Sequence, residues 1–142
     1  MSKRIKFLVI FIVLVGGLVA YFTPVIKMEL AESAQYTEND KREYNFYTPE
    51  LLKKMPRIAE QYDFHFANIS GPAAHIYSVT FYGTHDTSKI DDYLSSNGYK
   101  KQQSCNIEAD CWQAGDPQAE ITVSKLESPE SLQVSLSENF PE

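Results

Sequence analysis

Charge is absent from one long stretch of this 142-residue chain, and catalytic signatures are absent from all of it. Six glycines and seven prolines are too few for a collagen-like chain or a low-complexity linker. There is no Gly-x-Ser-x-Gly turn, phosphate-cradling glycine loop, calcium-binding loop or His-Glu-x-x-His pair. Nothing therefore points to a cofactor, and none is expected. A basic excess is also missing: residues 27–142 carry a formal charge of −9. That excludes a uniformly basic nucleic-acid binder. Only two cysteines occur, neither at the end of the apolar run, which excludes a lipoprotein anchor.

What is there begins with the uncharged stretch. Phe7 to Phe22 reads FLVIFIVLVGGLVAYF, and Thr23 to Ile26 extends it to twenty residues before Lys27. Twenty helical residues span about 30 Å, the thickness of a bilayer's hydrocarbon core. A cleaved signal peptide has the same basic start and apolar middle. Leu18-Val19-Ala20 puts a bulky Leu where cleavage wants a small residue, and Ala31-Glu32-Ser33 lies too far downstream. The run reads as an uncleaved anchor over 7–26, with secretion after cleavage as the alternative. Lys3, Arg4 and Lys6 make residues 1–6 a basic tail that stays in the cytoplasm. In a Gram-negative bacterium the remainder then lies in the periplasm, tethered to the inner membrane. Cys105 and Cys111, with five residues between them, fit a local disulfide in that oxidising space. A redox pair usually has a two-residue spacer, and Glu108 and Asp110 would raise a thiol's pKa.

The sequence predicts one α+β domain: an antiparallel sheet with two helices on one face. Residues 27–43 read as a polar juxtamembrane linker and 44–142 as the exported domain. Thr48-Pro49-Glu50 reads as a helix start, and Leu51, Leu52, Met55, Ile58, Ala59 and Tyr62 fall on one stripe, kinked at Pro56. Residues 63–69 and 75–82 alternate around a Ser-Gly-Pro-Ala turn. Paired there, Phe64 faces Val79, Phe66 faces Tyr77 and Asn68 faces His75. A second helix starts at Asp86 or Thr87 and ends at Asn97-Gly98. Strands follow over 99–104, 119–123 and 132–136, the last two joined by a loose hairpin.

His65, His75 and His85 are ten residues apart. The register sets His65 and His75 on opposite faces, so they cannot share one metal ion, and no metal site is expected. Asp91-Asp92 sits in polar surroundings that give no reason for a raised pKa. No catalytic residue is therefore named, and the protein is not expected to be an enzyme. Residues 103–142 carry −7, and an acidic surface steers basic partners. Glu108, Asp110 and Trp112, on or beside the disulfide loop, are the candidate contact residues. The expectation is a membrane-anchored module, of toxin-immunity type or an accessory subunit of an envelope complex. It would bind another periplasmic or envelope protein bearing a basic patch and would contact the bilayer through residues 7–26. The alternatives are a small tethered envelope hydrolase and a single-span regulator of another integral protein.

Overall fold

The computed structural model describes residues 2–71 and 73–140 and divides into two units, one ending at Ala31 and one beginning at Glu32. The first unit is α1 (Lys3–Glu29), a 27-residue helix with no buried residue. It is long and apolar enough to cross a membrane, as an anchor or as a signal sequence. It runs through Pro24, and its first turn takes in much of the basic tail.

The second unit is an α+β domain. Its elements are β1 (Ser33–Tyr36), α2 (Lys41–Tyr47), α3 (Glu50–Lys53), β2 (Tyr62–Ile69), β3 (Ala74–Tyr82), α4 (Ser88–Ser96), β4 (Lys100–Lys101), β5 (Asp110–Gln113), β6 (Ala119–Glu127) and β7 (Glu130–Asn139). All seven strands form one antiparallel sheet in the order β1-β2-β3-β7-β6-β5-β4. The register expected for β2 and β3 is present: Phe64 opposes Val79, Phe66 opposes Tyr77 and Asn68 opposes His75. α4 follows the expected caps, from Thr87 to Asn97, with Gly98 at φ +85° closing it as only glycine does without strain.

Strand alternation sorts the side chains onto two faces of different chemistry. One face carries Tyr36, Phe64, Phe66, Val79, Phe81, Trp112, Ile121, Val123, Leu132, Val134 and Leu136, all buried. The helices cover it with Tyr47, Leu52, Ile90 and Leu94. Rings of Tyr36, Tyr47 and Phe66 stack at centroid distances of 5.8 and 4.6 Å. The other face carries His65, Ser78, Thr122, Ser124, Gln133, Ser135 and Ser137, with Cys105, Asn106 and Ile107 lying against part of it.

Five sequence expectations are corrected. Residues 27–43 are not a linker: the end of α1, β1 and the start of α2 occupy them, and the domain begins at Glu32. The stripe from Leu51 to Tyr62 is not one helix. α3 stops at Lys53, because Pro56 has no amide proton and disfavours helical geometry at Met55. Thr48 closes α2 and bonds the Tyr36 hydroxyl at 2.8 Å, and Pro49 precedes α3 in its place. The strand expected over 99–104 is confined to Lys100–Lys101, while β5 appears within and beyond the cysteine loop. The loose hairpin is a two-residue turn at Ser128-Pro129 between β6 and β7.

The carbonyls left open where α3 ends find a donor in Arg57. Its Nη1 donates to Leu52 O (2.8 Å) and Met55 O (3.0 Å), and its Nη2 to Lys53 O (3.2 Å) and the Tyr44 hydroxyl (3.1 Å). Its Nε and Nη2 both reach the Glu38 carboxylate. The guanidinium lies over the rings of Tyr62 and Phe64. Burial pushes the Glu38 carboxyl up. Hydrogen bonds from Arg57 and Tyr62 and the charges of Arg57 and Lys41 outweigh that, so it sits below the ordinary glutamate range.

Candidate functional site: the acidic end of the sheet

β5 is shorter than its neighbour. It covers only Glu120 to Val123 of β6, so Ser124 to Glu127 run on beyond its first residue, Asp110. The space beside them is a groove of about 640 Å³. Glu108, Asp110 and Glu127 line it together with Lys125. Glu130 pairs with Glu127 across the hairpin. Lys101 Nζ lies 3.1 Å from Asp110 and neutralises part of the charge.

Local chain geometry brings these groups together. The Cys105–Cys111 disulfide closes the loop that carries Glu108. Cys111 points to the open face of the sheet, where it meets Cys105. Alternation along β5 then sends Trp112 the other way, against Ile121 and into the core, where it is 4% exposed. Of the three expected contact residues, the groove therefore unites Glu108 and Asp110, and Trp112 is a core residue. Its indole Nε1 is buried with no hydrogen-bond partner, as is Asp91 Oδ1. Glu127, which sequence reasoning missed, joins the site through the β6 register. The signal for it was the acid at the hairpin end, opposite Glu130.

The histidines occupy three separate settings. His65 stands exposed on the open face beside Ser78. His75 is on the helix-covered face, with Tyr77 Oη 3.3 Å from its Nδ1 and Phe140 packed edge-on at 4.8 Å. His85 Nε2 lies 2.8 Å from the Leu126 carbonyl, and its Nδ1 is 4.0 Å from Glu130. Among the described residues no three His, Cys, Asp or Glu side chains are grouped as metal ligands would be. Asp91 accepts a hydrogen bond from Thr87 Oγ1 at 3.0 Å and belongs to the first turn of α4.

A second groove, of about 430 Å³, lies on the open face under Cys105, Asn106 and Ile107. Its lining is rich in hydroxyls, with Glu120 and His65 as its ionisable members. Ser78 and Ser135 share a hydrogen bond of 2.8 Å across β3 and β7, and Gln133 Nε2 donates to Thr80 Oγ1 at 3.3 Å. This surface offers mainly hydroxyls with a single carboxylate, whereas the groove at the end of β6 gathers three carboxylates on a rim. Polar groups at a rim set association rate and partner choice more than affinity. No protein-family model, curated protein or solved structure matches the chain.

Proposed function

We propose that the protein is a single-span, inner-membrane-anchored module whose exported domain binds a basic surface of another envelope protein. The partner is either a toxin that this chain neutralises or a subunit of an envelope complex it assists. One observation carries the reading: the groove that gathers Glu108, Asp110 and Glu127 on an otherwise solvated end of the sheet. Export agrees with the disulfide, and anchoring with a 27-residue helix whose first turn is basic and whose middle is an uncharged apolar run.

The test uses the full chain in its native host. Crosslinking in the envelope followed by mass spectrometry identifies the partner. Charge reversal, Glu108→Lys with Glu127→Lys, should then abolish its recovery, and wild-type association should weaken as salt rises. Recovery of this chain alone, or of the same partner at wild-type yield with the reversed groove, contradicts the proposal.

A further inference from the structure

The opposite end of the sheet has the contrary character. From Phe64 to His85 the chain holds no Asp, Glu, Lys or Arg. The middle of this stretch is the turn joining β2 to β3, where Ile69 pairs with Ala74. Ile69 is 37% exposed, and Ser70, Gly71 and Ala73 are exposed as well. Phe140 is 45% exposed and is held at the same end, its amide donating to the Ala73 carbonyl at 2.9 Å. Phe46 is 38% exposed and reaches this end through Tyr47, whose ring stacks on Phe66. Among the described residues Glu32 and Glu138 flank this end, the latter facing His75 across the ladder.

The chain enters the domain at this same end. The Asn68 amide donates to the Glu32 carbonyl at 2.8 Å, one residue before Ile69. Glu32 lies six residues after Ile26, where the apolar run stops. Six residues reach at most about 22 Å even when fully extended. On the anchoring reading, the tether alone therefore keeps Glu32, and the strand end it bonds, within about that distance of the lipid boundary. Exposed Phe and aliphatic side chains bury favourably at the boundary between headgroups and acyl chains. A bare acidic tip would be repelled by anionic headgroups, and this tip carries no formal charge.

We infer that the β2–β3 turn, with Ile69 and Phe140, is a lipid-contacting surface that rests in the headgroup region of the bilayer holding residues 7–26. The inference rests on the anchoring reading above. The acidic groove lies at the other end of β7, ten strand residues or about 30 Å away, and so faces outward to a partner.

The test is tryptophan quenching by brominated lipid, using the full chain in phosphatidylcholine–phosphatidylglycerol vesicles. Single tryptophans are added at Ile69 (Ile69→Trp), Phe140 (Phe140→Trp) and Glu127 (Glu127→Trp), all exposed positions, with Tyr21→Trp as the reporter of the span. The signal of Trp112 alone, measured in the wild type, is subtracted. A ring seated at the interface lies roughly 5–10 Å into the boundary, so bromine high on the acyl chain should reduce the Ile69→Trp and Phe140→Trp emission about twofold. Glu127→Trp should be unaffected. If Tyr21→Trp is quenched by mid-chain bromine while Ile69→Trp and Phe140→Trp are not, the lipid contact is wrong and the anchor stands. Equal quenching at Ile69 and Glu127 overturns the assignment of ends. If Tyr21→Trp also escapes quenching, the anchor fails and the inference falls with it.

Discussion

Replacing Arg57 by alanine should destabilise the domain by about 3 kcal/mol. The figure follows from what the guanidinium does. It satisfies three carbonyls, Leu52, Lys53 and Met55, that a continued helix would have bonded internally. It also makes a forked contact to Glu38 and lies over two rings. Breaking a fully buried ion pair from one side costs about 3–5 kcal/mol. Here Arg57 is 23% and Glu38 35% exposed, so water recovers part of the loss and about 2 kcal/mol is the fairer share. Unpaired carbonyls and the lost cation–π contact add roughly 1 kcal/mol more. Domains of this size are stable by about 5–15 kcal/mol, so the effect is large enough to read. The assay is urea unfolding of the full chain in detergent, followed through Trp112 fluorescence. Arg57→Lys keeps the charge but loses the planar fork and should recover less than half of the difference. A shift below about 0.5 kcal/mol for Arg57→Ala, the value of a solvated surface pair, would refute the reasoning.

Other perturbations have equally definite outcomes. Burial, reinforced by neighbouring tyrosines, pushes the Tyr36 hydroxyl from 10.0 up to about 12, and Tyr62, Tyr77, Tyr82, Tyr93 and Tyr99 are also raised, chiefly by burial. A raised folded-state pKa means the unfolded chain loses its protons first. Stability is therefore full below pH 10 and falls as pH rises from there toward 12, which the urea midpoint should track. Glu38 gives the opposite limb: its folded pKa lies below 4.5, so its contribution is present above that pH and disappears as pH falls through its lowered value. Glu38→Gln should flatten that limb, and an unchanged acid limb would contradict the assignment. Removing the disulfide as Cys105→Ser with Cys111→Ser should cost about 2 kcal/mol by the chain-entropy estimate for a short loop, again read as a shift in urea midpoint. Trp112→Ala should cost about 3–5 kcal/mol as a core truncation, whereas Trp112→Phe, which also removes an unpartnered buried donor, should cost far less.

The parts of the fold that could be read from sequence are those where a local pattern and a tertiary contact agree. β2 and β3 alternate over enough residues, about a short turn, that only one register buries Phe64, Phe66, Val79 and Phe81 together. α4 has a cap at each end and an apolar stripe of Ile90 and Leu94. β1 and α2 carry no such pattern. Ser33-Ala34-Gln35-Tyr36 buries only Tyr36, and α2 buries only Tyr47, so both look polar until the rings of Phe64 and Phe66 receive them. No local pattern announces the role of Arg57, because its partners are carbonyls freed by a helix that stops early. In the candidate site, the charges of Glu108 and Asp110 were legible and their neighbour Glu127 was not. Its place depends on how far β5 extends along β6. Trp112 was misplaced because a cysteine that must face one side of a strand forces the next residue to the other.

The anchored, exported placement is tested most directly by the intact mass of the native protein taken from the host's carbonate-washed membranes. The account requires a chain that retains the N-terminal helix, at a mass two hydrogens below that of its reduced form. A chain shortened within residues 18–33, or a full-length chain carrying two free thiols, would contradict it.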